Sequence, residues 1–237
     1  MPPLDRIAAV LDVRLAISAS GRAHEAAGVW RPATRRIRRL GLALDPDAVP
    51  KAWLDAPGAV DALLLHRPWG IAERALPGST GVVACHRPFD AALTTGYNLT
   101  LARALGLRAV EPFEKKDGRP LGMIGALDPP EAPAEALRTL VETFGGLEAT
   151  HPPVRPVEGV ACARAMTADL VGKAHERGAD LYVTGQMRAP GIEAVARTGI
   201  GVAAVGHRRS ERFGLRVLAG LLRRRFAALD VRVAKGE

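Results

Sequence analysis

Cysteine and aromatic residues are scarce in this sequence. Its two cysteines, Cys85 and Cys162, form neither a metal-type nor a redox-type spacing, and they supply no disulfide framework. Aromatic residues make up 4% of the chain, which leaves few platforms on which single-stranded bases could stack. These shortages indicate a reducing compartment and argue against a dedicated binder of single strands.

Long apolar runs are also missing. No stretch approaches the roughly 20 apolar residues that a membrane-spanning helix needs, so we expect no membrane partner. The opening segment "MPPLDRIAAVLDVRL" carries charges among its apolar positions, unlike a secretory signal. We therefore expect a cytoplasmic protein.

Acidic residues are outnumbered, and the net charge of +8 raises nucleic acid as a partner. Only five of the 33 basic residues are lysines, and local clusters occur only at "RPATRRIRR" and "LLRRRF". This scatter is typical of compositional bias rather than of a continuous binding face. Nucleic acid therefore stays an alternative partner, less favoured than a small molecule.

What is present is an alternation of strand-like and helix-like runs. Apolar runs such as "VDALLLH", "GVVACH", "ADLYVTG" and "IGVAAVG" alternate with helical patterns such as "TADLVGKAHERG", which Thr167 would cap. The proline-rich stretch "EATHPPVRPVEG" separates two such series. This order predicts an α/β fold with mostly parallel or mixed sheets.

Three of the six histidines end apolar runs: His66 after "LLL", His86 after "VVAC" and His207 after "VAAVG". In α/β folds, ligands bind beyond the carboxyl ends of strands, where these side chains can converge. Asp90 and Glu211 each follow a histidine by four positions, which places both members of a pair on one helical face.

Imidazole and carboxylate groups are ordinary ligands of zinc, manganese or iron. Each residue also has a simpler interpretation. A strand-end histidine can be a hydrogen-bonded residue, Asp90 can cap a helix, and Glu211 can favour a helix N-terminus. Because two His-x-x-x-acid pairs both lie at strand–helix junctions, the pattern favours one shared metal site.

Several segments in this order are similar to the signatures of the Nif-three-like proteins, also known as GTP cyclohydrolase 1 type 2 homologues. These segments are "LLLHRPWG", "ACHRPFDAALTTGYNLTLARALGL", "LGMIGAL", "ADLYVTGQM" and "GHRRSER". The resemblance implies two α/β domains facing a central cleft, here 1–110 and 111–237, with a C-terminal helix able to pack back on the first. It also implies a toroidal homohexamer with a two-metal centre, whose ligands here would be His66, Asp90, His207 and Glu211.

Two positions depart from the pattern of that family. Arg67 stands where the family has a second histidine, and Gln186 stands where it often has an acid. A guanidinium offers no lone pair and repels a cation, so we expect one metal ion per chain rather than two. Arg67 could alternatively pair with Asp90 or Glu211, or turn outward to solvent.

The resemblance implies metal-assisted hydrolysis of the GTP cyclohydrolase type, with His86 taking or giving a proton. The substrate would be an unidentified small molecule, with a nucleotide as one candidate. Two other functions remain open, a non-catalytic metal-binding or scaffold oligomer and a toroidal DNA-binding protein. Trp30, Trp53 and Trp69 lie among turns and short helices, where large aromatic residues often serve subunit interfaces.

Overall fold

The fold divides into two compact units. A computed structural model describes residues 1–17, 27–55, 57–71 and 76–235. The first unit comprises Met1–Phe89 and Leu215–Glu237, and the second comprises Asp90–Gly214. The boundary expected between residues 110 and 111 falls inside a strand of the second unit.

Among the described residues, the first unit contains a five-stranded mixed sheet. Its spatial order is β1 (Gly28–Arg31), β4 (Gly81–Ala84), β3 (Ala62–Leu65), β2 (Arg39–Ala43) and β11 (Asp230–Val233). All neighbours pair in parallel except β1, which runs antiparallel to β4. The apolar alternation of "VRVA" is typical of an edge strand, and β11 confirms that interpretation. Helix α1 (Leu4–Leu15) buries one stripe of its surface, formed by Leu4, Ile7, Leu11 and Leu15.

The run "DAVPKAWLDA" has the pattern of a short helix that Asp45 or Asp47 could cap, but the predicted helix is wrong. The chain instead forms two short 3-10 turns, Pro46–Ala48 and Lys51–Trp53. Pro50 disfavours helical backbone at the preceding residue, and Val49 is accordingly extended, with φ −76° and ψ 117°. The Asp45 side chain accepts a hydrogen bond from the backbone N–H of Ala48, which confirms it as a capping residue.

The second unit contains, among the described residues, a six-stranded mixed sheet. Its order is β5 (Arg108–Lys116), β6 (Arg119–Glu131), β8 (Val157–Ala163), β9 (Leu181–Thr184), β10 (Gly201–Ala204) and β7 (Ala149–His151). Strands β8, β9 and β10 run parallel, whereas the β5–β6, β6–β8 and β10–β7 pairs are antiparallel. The predicted α/β class with mixed sheets is confirmed.

Strand β5 was not predicted from the sequence, because most of its residues are exposed and form no apolar run. The overlooked signal is the dipeptide Asp117-Gly118 between β5 and β6. Both residues have positive φ, 53° and 75°, as a tight hairpin turn requires.

The remaining helices follow the predicted order. They are α2 (Arg87–Leu93), α3 (Leu99–Ala104), α4 (Pro133–Phe144), α5 (Ala168–Glu176), α6 (Ala189–Thr198) and α7 (His207–Arg225). Thr167 caps α5 as expected, since its side chain accepts a hydrogen bond from the N–H of Leu170. Within the part of the chain that the structure describes, none of the helices combines the length and apolar character needed to cross a bilayer.

Candidate metal centre

Two neighbouring parallel strands of the first unit deliver histidines to the same sheet edge. Leu65 of β3 pairs in register with Ala84 of β4, so the residues that follow both strands emerge side by side. The N–H of Cys85 continues the ladder by donating to the carbonyl of Leu65 at 3.1 Å. His66 and His86 therefore leave the sheet together, as the sequence predicted.

A group of three donors forms at this edge. One ligand atom from each of His66, His86 and Asp90 lies within 4.8 Å of the others. The two imidazole rings are 4.8 Å apart between centroids. Asp90 joins them because it follows His86 by four residues and lies on α2, about one helical turn along the chain. Two histidines and one carboxylate form a donor set that zinc, manganese and iron all accept.

The hydrogen bond of His66 prepares its ring for a cation. His66 is fully buried, and its Nδ1 lies 3.0 Å from the carbonyl oxygen of Cys85. A carbonyl only accepts, so Nδ1 carries the proton and donates it. In the neutral ring Nε2 is then left with its lone pair, which is the tautomer that a metal ligand needs. Phe89 packs against the same ring at 4.7 Å and restricts its orientation. The residues present thus fit a divalent metal ion.

Arg67 is engaged with a neighbouring acid. Its Nη2 lies 3.9 Å from Oδ2 of Asp45, and the two side chains are 21% and 20% exposed. Its backbone N–H also donates to the carbonyl of Leu44 at 2.7 Å. The alternative of an arginine turned out into solvent is therefore wrong. The pairing with Asp45 offsets part of the positive charge of Arg67, which follows His66 in the chain.

In the second unit, the structure brings together the other predicted pair, His207 and Glu211. Both lie in the first turns of α7, where His207 Nε2 is 3.0 Å from Glu211 Oε1. The Glu211 side chain is fully buried, whereas that of His207 is 62% exposed. Ser210 closes the turn by donating its hydroxyl to the carbonyl of His207 at 2.8 Å. The convergence of this pair with His66 and Asp90 stays a prediction.

An aromatic side chain outside the donor group also lies at the first sheet edge. Trp69, predicted at a subunit interface, packs edge-on against His86, with 5.0 Å between ring centroids and 81° between ring planes. In the sequence, "HRPW" places Trp69 three residues after His66, whereas its ring contact is with His86, which follows the neighbouring strand. The other two tryptophans differ from each other. Trp30 is 49% exposed, whereas Trp53 packs against the apolar core of its unit.

The fold and the donor group together define an α/β protein with a candidate metal centre at a sheet edge. The chain belongs to the Duf34/NIF3 (NGG1p interacting factor 3) family, whose model matches residues 70–237. The predicted family is thereby confirmed. The matched range includes His86, Asp90, His207 and Glu211, and it begins just after the "HRPW" segment.

Curated relatives agree with this assignment. A protein of Pseudomonas aeruginosa is 27% identical over 213 residues, covering 83% of this chain and 82% of the relative. One of Halobacterium salinarum is 29% identical over 207 residues, covering 79% and 80%. Both are named GTP cyclohydrolase 1 type 2 homolog.

Solved structures share the fold. A protein of Thermus thermophilus superposes with a TM-score of 0.74 at 25% identity, covering 99% of this chain and 98% of the other. A Bacillus cereus protein related to NIF3 also gives 0.74, at 14% identity, with 100% and 97% covered. Reduced HcgD from Methanocaldococcus jannaschii gives 0.71 at 18% identity, with 99% and 98% covered.

Proposed function

We propose that this chain binds one divalent metal ion through His66, His86 and Asp90 and hydrolyses a small molecule there. The observation that carries the proposal is the group of three ligand atoms within 4.8 Å. It is strengthened by the hydrogen bond from Nδ1 of buried His66 to the Cys85 carbonyl, which fixes the tautomer whose lone pair is on Nε2. His207 and Glu211 are proposed as further ligands of the same centre.

Each residue contributes a distinct property. A bound divalent ion supplies a Lewis acid that activates water near neutral pH. His66 contributes a nitrogen held in one tautomer by the Cys85 carbonyl. Asp90 contributes negative charge, which favours a cation. His86 is half-buried, and its place in the donor group favours a ligand role over the proton transfer expected from the sequence.

The reaction proposed is of the GTP cyclohydrolase type, because that activity is in the names of the relatives. A cytoplasmic homohexamer is proposed with it. Light scattering tests the assembly, since a mass near 25 kDa at micromolar concentration would contradict any oligomer.

Metal analysis of protein purified without chelator is the direct test of the centre. We expect close to one equivalent of zinc, manganese or iron per chain, and almost none in His66→Ala or Asp90→Ala. His151→Ala is the matched control, because His151 is an exposed histidine on β7. Wild-type protein without metal after reconstitution would contradict the centre, and metal binding without turnover of GTP would favour the scaffold alternative.

One surface favours nucleic acid as a second candidate partner. A hollow of about 740 Å³ in the first unit is lined by Arg35, Arg36, Arg38, Arg39 and Asp61, among others. The arginines of this lining outnumber its single aspartate, so the surface is positively charged. Arg35 pairs with Asp61 at 3.0 Å, whereas the guanidinium groups of Arg36 and Arg39 donate to backbone carbonyls.

Electrophoretic mobility shifts with duplex DNA at several salt concentrations test this candidate. Binding through phosphates predicts an affinity that falls steeply with salt, and Arg36→Gln with Arg38→Gln should reduce that slope. Arg188→Gln with Arg197→Gln is the charge-matched control, placed in the second unit. Equal binding by both double variants would remove the hollow as a DNA site.

A further inference from the structure

Trp69 is an exposed aromatic residue on a fixed turn. The N–H of Ile71 donates to the carbonyl of Pro68 at 3.1 Å, and Gly70 has φ +80°, as the third residue of a type II turn requires. Pro68 and Ile71 are buried, so both ends of the turn are anchored. Trp69 occupies the second position and stays 53% exposed. Its backbone is therefore held in place while its ring faces solvent.

The Trp69 ring is the outer member of a series of rings that continues through His86 and His66 to buried Phe89. Trp69 contacts His86 at 5.0 Å, His86 contacts His66 at 4.8 Å, and His66 contacts Phe89 at 4.7 Å. The two histidines belong to the donor group described above. Trp69 is thus one ring contact away from the candidate metal ligands.

The Trp69–His86 contact is T-shaped, and it leaves 53% of Trp69 exposed. In a T-shaped pair the edge of one ring meets a face of the other, so the contact occupies at most one of the two indole faces. Stacked aromatic pairs have centroids about 4.5–7 Å apart, which is comparable to the 5.0 Å between Trp69 and His86. A planar ring stacked on the indole would therefore be separated from His86, a member of the donor group, by the Trp69 ring alone.

We propose that Trp69 is a stacking platform that selects a ligand with a planar heteroaromatic ring, such as a nucleobase, for the centre formed by His66, His86 and Asp90. This inference rests on the proposed metal-dependent function and adds a determinant of substrate class. An indole suits the role because its flat surface offers a large contact area while only two side-chain torsions have to be fixed. Stacking also tolerates different bases, since every base has a π face. Trp69 thus sets the class of ring rather than one particular base.

Isothermal titration of the full-length protein with GTP, ATP, UTP and tripolyphosphate tests the platform. We expect Trp69→Ala to weaken binding of the three nucleotides by about 5- to 150-fold, and Trp69→Phe to weaken it less. Binding of tripolyphosphate, which has no ring, should not change. Trp30→Ala is the matched control, because Trp30 is similarly exposed, at 49%, in the same unit.

Several outcomes would overturn the platform. They are nucleotide affinities in Trp69→Ala equal to those of the wild type, an equal loss of tripolyphosphate binding, and no measurable binding of any nucleotide by the wild type. A smaller oligomer in Trp69→Ala, measured by light scattering, would instead assign the indole to contact with a second copy of the chain.

Metal content separates failure of the platform from failure of the proposed function. If the wild type binds metal but Trp69→Ala binds nucleotides normally, the platform alone is wrong. If the wild type binds no metal but nucleotide binding still depends on Trp69, the metal-dependent function alone is wrong. Repeating the titrations after treatment with a chelator makes the same separation on one protein sample.

Discussion

The two sheets carry the same local pattern, a histidine and an acid four residues apart at a strand–helix junction, with different results. At the edge of the first sheet, His86 and Asp90 join His66 from the neighbouring strand to form a three-donor group. After the second, His207 and buried Glu211 form a close pair. The His-x-x-x-acid pattern therefore places a histidine near an acid. Whether a third metal donor lies beside them depends on the residue that follows the neighbouring strand.

The register of the strands identifies the residue position that supplies the third donor in the first sheet. Leu65 pairs with Ala84 in the first sheet, and His66 follows Leu65. Thr184 pairs with Ala204 in the second sheet, and Gly185 follows Thr184. Gly185 thus occupies the place that His66 holds in the other sheet. Glycine has no side chain to offer a cation, so the second sheet lacks a donor at this position.

The largest expected effect tests whether the two regions act together. We expect His66→Ala or Asp90→Ala to remove nearly all bound metal, because each deletes one of three clustered donors. If His207 and Glu211 are ligands of the same centre, His207→Ala should lower the metal content by a similar amount. Mass-spectrometric metal analysis measures both. Full metal content in His207→Ala would restrict the centre to the edge of the first sheet.

Arg67 tests why the first region should hold only one ion. Arg67→His replaces a cation with a neutral nitrogen donor next to His66, so we expect bound metal to rise from about one equivalent toward two. Arg67→Gln removes the charge without adding an imidazole and serves as control. Two equivalents in the wild type, or no gain in Arg67→His, would contradict the limiting role of Arg67.

The hydrogen-bonded pair of His207 and Glu211 in the second unit should contribute to the stability of the fold. His207→Ala removes a hydrogen-bond donor from buried Glu211, and we expect the free energy of unfolding to fall by about 1–3 kcal/mol. His207→Gln offers an amide donor and should recover part of the loss. Urea unfolding of metal-free protein measures this. An unchanged midpoint in His207→Ala would show that the pair has no structural role.

Glycines in the two sheets provide a matched pair of substitutions. A Cβ at Gly41 of β2 would lie 2.6 Å from Cε3 of Trp53, so Gly41→Ala should destabilise the protein by about 1–3 kcal/mol. A Cβ at Gly185 would meet its nearest atoms at 3.8 Å, an ordinary contact. Gly185→Ala should therefore change the free energy of unfolding by less than about 0.5 kcal/mol. Equal losses in thermal or urea unfolding would contradict this difference in packing.

An effect that appears only at alkaline pH concerns the buried cysteine of the second unit. Burial raises the pKa of the Cys162 thiol from 9.0 to about 12. The thiol stays neutral in the folded protein while it ionises in the unfolded chain, so its contribution is complete below pH 9 and is lost as the pH rises toward 12. Relative to Cys162→Ala, the wild type should lose about 1 kcal/mol of stability between about pH 8 and 10. Urea unfolding measured against pH checks this difference. The same pH dependence of stability in the wild type and in Cys162→Ala would contradict a contribution from the thiol.

The sequence predicted much of the fold and part of the site, because those features depend on local pattern. Apolar runs that end in histidine located β3 and β4, and the capping residue Thr167 located the start of α5. The exposed strand β5 was missed because it carries no apolar run. The four-residue spacing correctly predicted that His86 lies near Asp90 and that His207 lies near Glu211, because about one helical turn separates the members of each pair.

By itself, then, the sequence determined the α/β class, the family, and the placement of His66, His86 and His207 at strand ends. Only the tertiary structure decided which groups surround each of them. The Cys85 carbonyl that fixes the tautomer of His66, the Asp45 partner of Arg67 and the contact of Trp69 with His86 all depend on how separate strands and turns pack. Periodicity describes the face that a residue occupies within its own element, whereas these contacts depend on register between elements, which is set by the packing of the whole sheet.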